Sequence, residues 1–312
     1  MDRQLLLAKK EVTYGTDAAA VAANTVLAEE VQFRLLDTRV QPNPAKPGVG
    51  PVASHVYGQH AELGFKIPLA GSGDAGVAPK WGPIMKACGW NETVVADTSV
   101  TYALMENPIG ADSMTLVWRD GNRRLHKVLG WRGRVGLELT AGQRPMLVIN
   151  GRGLHVPVAT AAAELAHADA SFAGWNDAKP VASGTTQFTF DGISGLGLRA
   201  LSFEQSDNVK FTDVPEQENV ELVGARRFTG QQRITCPLAS TINFENKWVA
   251  GDVVTWAMTH GSVAGLIATI NGRTQVLAPE YSRDDDHDVL GCGLELVPSS
   301  LTTDDDLSIV LT

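Results

Sequence analysis

Few residues in this chain have the types and spacing that chemistry needs. The densest is Asp284-Asp285-Asp286-His287-Asp288, four carboxylates around one imidazole. Such a run could hold a divalent cation, but it lacks the ligand spacing and terminal Glu of a calcium loop. It reads as a solvated loop, with weak cation binding as the alternative. Asp304-Asp305-Asp306 reads as a turn before a last strand. Gly192 to Gly197 (GISGLG) is glycine-rich after a strand, yet no helix opens behind it, as a dinucleotide site requires. The cysteines, Cys88, Cys236 and Cys292, are far apart and odd in number. That excludes a CxxC zinc pair and a full set of disulfides, and leaves reduced, half-buried thiols. No nucleophile elbow, Walker loop or HExxH helix occurs. The seven His are scattered, and His126 and His260 read as strand residues. The chain is expected to be no enzyme, with no cofactor and no metal.

The elements are mostly strands. Leu63, Phe65, Ile67 and Leu69 alternate with polar residues between His60 and Leu69, the mark of a half-buried strand. Strands are expected at 31–36, 99–105, 113–119, 123–129, 132–139 and 146–156. In the second half they are expected at 185–190, 198–205, 209–211, 220–222, 231–237, 253–260, 265–271, 275–277, 290–297 and 307–311. Trp81 to Trp90 predicts a helix, with Pro83 in its first turn and Gly89 near its C-cap. Residues 244–249 should hold its counterpart. The prolines and glycines of 37–59 make a long loop, matched later by 206–230.

Four signals recur in one order. Pro68-Leu69-Ala70, Val100-Thr101-Tyr102-Ala103, an Asp120-Gly121 turn and Gly136 to Leu139 (GLEL) come first. Pro237-Leu238-Ala239, Val254-Thr255-Trp256-Ala257, an Asn271-Gly272 turn and Gly293 to Leu296 (GLEL) follow. This order suggests a tandem duplication: an N-terminal arm (1–30), a first β domain (31–157), a linker (158–184) and a second β domain (185–312). With 312 residues, two domains of about 150 are expected. A net charge of -9 argues against a nucleic-acid grip, because phosphate contacts need clustered Lys and Arg. Leu5-Leu6-Leu7 before Lys9-Lys10 reverses the order of a signal peptide, and no run reaches membrane-helix length. A soluble protein made in a cytoplasm is expected, without a membrane anchor.

Lys10 to Asp17 (KEVTYGTD) resembles the opening motif of the major tail tube proteins of long, non-contractile-tailed (siphovirus-like) bacteriophages. The likeness resumes at Gly58 to Ala70, Ala78 to Pro83, Ala87 to Gly89, Ser99 to Ala103 and His126 to Gly133, and in the GLELTAGQ stretch. It covers residues 5–157 well and the remainder more weakly. The resemblance implies a mainly β fold: two tandem tail-tube-like β-sandwich or barrel domains with flanking helices. It implies a pseudo-sixfold ring in a homotrimer, and rings stacked into a tube that conducts double-stranded DNA during ejection without specific binding. Partners would be other copies, the tape-measure protein and the terminator or baseplate proteins. The location would be the virion, after assembly in the host cytoplasm.

On this reading the arm, 1–27, would strap a neighbouring subunit. The contact candidates between rings or subunits are Thr13, Tyr14, Asp17, Arg39, Pro47, His55, Tyr57, Asp213, Glu216, Arg226 and Arg227. Glu138 and Glu295 are the lumen candidates, and an acidic lumen would repel phosphate. Arg123-Arg124 and Arg226-Arg227 read as interface or salt-bridge residues. Two alternatives stand beside the tube: a terminator or baseplate ring, and a carbohydrate-binding β-sandwich module stacking sugars on Trp90, Trp118 or Trp131. Against the last, Trp81 and Trp90 fall on the proposed helix, and Trp118 alternates with Leu116 and Met114 as a core series would.

Overall fold

The computed structural model describes residues 4–120, 124–158, 170–223, 226–284 and 286–312. Strands take 52% of the chain and helices 7%, so antiparallel sheets build the core, consistent with the β-sandwich class. The first half contains β1 (Leu5–Lys10), β2 (Glu29–Val40), β3 (His55–Pro68), α1 (Gly82–Ala87), β4 (Trp90–Val95) and β5 (Ser99–Leu104). It continues with β6 (Met114–Arg119), β7 (Leu125–Thr140) and β8 (Met146–Val156). The second half contains β9 (Thr186–Phe190), β10 (Ile193–Ser194), β11 (Leu198–Gln205), β12 (Val209–Val214), β13 (Gln217–Leu222) and β14 (Phe228–Thr235). It ends with α2 (Phe244–Ala250), β15 (Val253–His260), β16 (Ala268–Asp284), β17 (His287–Leu296) and β18 (Leu307–Leu311).

One pairing pattern occurs twice. In the first half β2 pairs β3, β3 pairs β8, β8 pairs β7, and β7 also pairs β6, which pairs β1. In the second half β11 pairs β14, β14 pairs β17, β17 pairs β16, and β16 also pairs β15, which pairs β9. The long strands β7 and β16 each carry a register shift, between Leu129 and Arg132 and between Val276 and Pro279. A bulge bends a strand and sharpens its twist, so one strand can serve two sheet surfaces. Alternation does the rest: Leu63, Phe65, Ile67, Leu137, Ile149, Leu201, Phe203 and Leu294 all point into one shared core.

This repeat is not the one the four signals describe. The two PLA tripeptides do match, at the ends of β3 and β14. The other pairs do not. The first GLEL lies on β7 and the second on β17, which takes the place of β8. VTYA lies on β5 between β4 and β18, whereas VTWA lies on β15 between β9 and β16. Asn271-Gly272 is no turn but the interior of β16. Gly272 is there because the Trp256 ring fills the space of a side chain, 2.3 Å from where a Cβ would sit. The Asp120-Gly121 turn and the Ala159 to Ala168 stretch fall wholly or partly outside the described residues.

Other boundaries also move. The strands expected at 123–129 and 132–139 are one strand, as are those at 265–271 and 275–277. The helix stops at Ala87, and Trp90 opens β4. The arm is not free to strap a neighbour over its whole length. Leu5, Leu6 and Leu7 are buried in this chain as β1 pairs β6. The described part of the linker is packed as well: Trp175 Nε1 donates to the Thr25 carbonyl at 2.8 Å, and Val181 is buried.

Candidate functional site

The pairing places eight strands side by side, in the order β2-β3-β8-β7-β11-β14-β17-β16. The middle seam joins the halves. Gly136–Thr140 of β7 pairs antiparallel with Ala200–Glu204 of β11. The run therefore ends on two strands that are the counterparts of the seam strands. At one end β2, the counterpart of β11, pairs only with β3 among the described residues. At the other end β16, the counterpart of β7, pairs beyond Val276 only with β17 among the described residues. Each open edge presents backbone N–H and C=O groups ready for another strand.

The face of this run opposite the core is polar. By register Glu138, Ser202, Gln231 and Gly293 share one row across the seam, and Glu295 lies two residues along β17. Both lumen candidates thus lie on one surface. They do not form an acidic field. Lys66 Nζ holds Glu30 and Glu138, each at 2.8 Å, and Arg227 holds Glu295 at 2.6 Å. Arg134 meets Glu204 at 3.4 Å, Arg152 meets Asp207 at 2.8 Å, and Arg34 pairs with Glu62. The Glu138 and Glu30 bonds raise the Lys66 pKa. Exposed pairs of this kind contribute roughly 0–1 kcal/mol each. Their effect is on the electrostatics: five cations hold six carboxylates, Lys66 serving two, so the charges of the face nearly balance.

The second half's long loop is not loose. It folds as the hairpin of β12 and β13 and lies on the first half. Val209, Val220 and Leu222 form a small core with Ala111, and Phe211 stacks on His60 at 4.3 Å between ring centroids. Arg132 donates to the carbonyls of Val220 (2.7 Å) and Ala111 (3.0 Å). Tyr14 Oη accepts from the Val220 N–H at 2.5 Å, and the Tyr14 ring sits 5.1 Å from the Arg132 guanidinium. Burial raises the Tyr14 pKa, so the phenol stays protonated.

The contact candidates therefore divide. Tyr14 is spent inside the chain, as is Arg226, whose largely buried guanidinium holds Asp304 at 3.0 Å and the Met105 carbonyl at 2.6 Å. Asp17 is exposed and bound to Lys127, which lowers its pKa. Arg227 is exposed but paired with Glu295, and Arg39 is exposed but paired with Asp37 at 3.1 Å. Thr13, Pro47, His55, Tyr57, Asp213 and Glu216 are exposed. Residues 41–54, joining β2 to β3, are almost wholly exposed.

Trp90 and Trp131 are fully buried and offer no face to a sugar, while Trp118 packs against Phe33 and His126. The exposed tryptophan is Trp248, on α2, where attention to the helix's outer face would have found it. Burial raises the Cys88 pKa and pushes Cys292 up to about 11, so neither is a ready thiolate. Asp284 of the acidic run engages Arg199 and Arg233, at 3.6 and 3.9 Å. Among the described residues no group of three or more carboxylate, His or Cys side chains could hold a metal ion, and no helix is long and apolar enough to cross a membrane. No family model and no curated protein matches the chain.

Proposed function

We propose that this chain is the repeating subunit of a phage tail tube of the long, non-contractile kind. Three copies form a pseudo-sixfold ring, and rings stack into a conduit for double-stranded DNA. The observation that carries this reading is the seam. Two strand sets with one pairing plan are joined edge to edge, and the outer edges are the same two strand types left open. Repeating the seam between chains is a head-to-tail contact, which closes into a ring when the rotation allows. Closure removes the edges that otherwise promote open-ended association. The KEVTYGTD motif supports the family.

The salt-bridged face of the eight-strand run is the surface we assign to the lumen. Phosphate binding requires Lys and Arg that can shed counterions and take a phosphate in their place. Here Lys66, Arg34, Arg134, Arg152 and Arg227 already hold carboxylates of the same face. DNA would pass over a surface of nearly balanced charges, not a strongly repelling one. The tape-measure protein would occupy the same bore before ejection, and terminator and baseplate proteins would cap the stack.

Negative-stain electron microscopy of the purified protein, with a mass measurement of the rings, tests the reading. Tubes of three-chain rings are expected. Six-chain rings would keep the tube and remove the pseudo-sixfold arrangement. Single rings that never stack would point to a terminator or baseplate ring, and a monomer at all concentrations would overturn the proposal.

A further inference from the structure

The β12–β13 hairpin shows how one loop of this fold is seated, while residues 41–54 of its counterpart between β2 and β3 are almost wholly exposed. The seat of the hairpin lies beside the end of α1. Gly89 closes that helix with φ +80°, and a Cβ there would meet Leu222 of the hairpin at 3.2 Å and Pro108 at 3.3 Å. Gly251 closes α2 in the same left-handed conformation, φ +69°, but a Cβ there would meet only Gln275, at 3.7 Å. Around it Trp248 is 48% exposed, Val249 78% and Val253 40%. Among the described residues, the apolar side chains that crowd the end of α1 have no counterpart at the end of α2.

We infer that the vacant seat at Gly251, with Trp248, Val249 and Val253, receives the 38–58 segment of a second copy. This rests on the ring reading only in taking the partner to be another copy of the chain. Three observations select that occupant. The segment carries its own exposed apolar groups, Val40, Val49, Val56 and Tyr57. The seat is continuous with the open edge of β16: Tyr281 Oη donates to Glu245 of α2 at 3.0 Å, tying the two together. A β2 edge arriving at β16 would bring its own loop to this end, as β11 brings the hairpin to the first half.

Charge gives the third. Residues 206–227 hold five carboxylates against three cations, and they seat on Arg132 and Arg152 of the first half. Residues 38–58 hold Arg39 and Lys46 and no carboxylate; Asp37 beside them pairs with Arg39, which leaves Lys46 as the loop's cation with no carboxylate partner among the described residues. The described residues of 244–252 and 279–288, around the vacant seat, hold six carboxylates against two cations, with Asp284 also meeting Arg199 and Arg233. Each loop is thus matched in sign to the opposite half and mismatched to its own. That arrangement favours head-to-tail order and disfavours two first halves meeting, since like charges brought together raise the cost of the wrong pairing.

Hydrogen exchange of dilute and concentrated wild-type protein, read with the association of Val249→Asp, tests this. On association, slowed exchange is expected at 41–54 and at 248–252 together. Val249→Asp should raise the concentration needed for association at least about tenfold, with Tm unchanged because the side chain is exposed. Val94→Asp, on the exposed part of β4, should leave association as it was. Normal rings from Val249→Asp, with 248–252 exchanging as fast as in dilute wild type, would overturn the seat and leave the ring standing. A wild type that never associates would overturn both.

Discussion

Helix α1 buries Gly82, Ile84, Met85 and Ala87, whereas α2 buries Phe244 and exposes Trp248 and Val249. β11 has a partner on each side, and its counterpart β2 has one among the described residues. The hairpin of β12 and β13 lies against its neighbour, and the 41–54 loop lies in solvent. In each comparison the strand plan is the same and the covering differs. What the second half supplies to the first, nothing among the described residues supplies to the second. The difference teaches that the open surfaces are not scattered defects of packing. They are the same surfaces twice, filled once inside the chain and once open among the described residues, where the proposed neighbour would sit.

The helices give the largest test. Trp81 opens α1, is 1% exposed, and donates its indole N–H to the Ala70 carbonyl at 2.9 Å. Trp81→Ala should cost about 3–5 kcal/mol, the usual range for a buried Trp, read by urea unfolding. Trp248→Ala should change monomer stability by no more than about 0.5 kcal/mol, as surface substitutions do. Equal costs at the two positions would break the contrast.

The loops give a smaller one. Arg132→Met removes the two carbonyl contacts and the stacking on Tyr14 that hold the hairpin, and leaves the Val220 and Ala111 carbonyls unserved. A loss of about 2–3 kcal/mol is expected, with faster hydrogen exchange across 209–222. Lys46→Met, in the open loop, should leave the dilute protein unchanged. A hairpin that exchanges as slowly without Arg132 would show that the apolar cluster alone seats it.

Much of the fold could be read locally, where side-chain period and backbone chemistry agree. The bounds of β11, β15 and β18 follow from alternation, and α1 follows from Pro83 and Gly89. What failed depended on distant chain. Asn271-Gly272 reads as a turn until Trp256, on the next strand, is known to need the glycine's space. Gly130 looks like the end of a strand, but a bulge carries β7 through it. β4 carries Asn91 and Glu92 at its start and exposes Val94 and Val95, so it shows no core pattern. At the candidate site, alternation marked Glu138 and Glu295 as equivalent positions on their strands but did not say which face they share; the register and the burial of their neighbours do. Their cations were not legible, since Lys66 and Arg227 lie on other strands or loops. Nor was the role of Tyr14, whose partner Val220 is 206 residues away.

The finest test compares the two glycines that close the helices. Both have positive φ, so alanine at either meets the left-handed penalty, about 1–2 kcal/mol. At Gly251 that penalty should be the whole cost in dilute protein, because the new methyl faces only Gln275. At Gly89 the methyl also presses on Leu222 and Pro108, so Gly89→Ala should cost more by a further fraction of a kcal/mol to about 1 kcal/mol. Denaturant midpoints of the two variants measure this difference in one solvent, with the backbone term common to both. The comparison then inverts on association. Gly89→Ala acts on a seat already filled and should leave association alone, while Gly251→Ala narrows the vacant one and should weaken it. A pair of variants equal in the monomer and equal in association would mean that the two helix ends are not counterparts, and the argument from the filled seat to the empty one would fall with them.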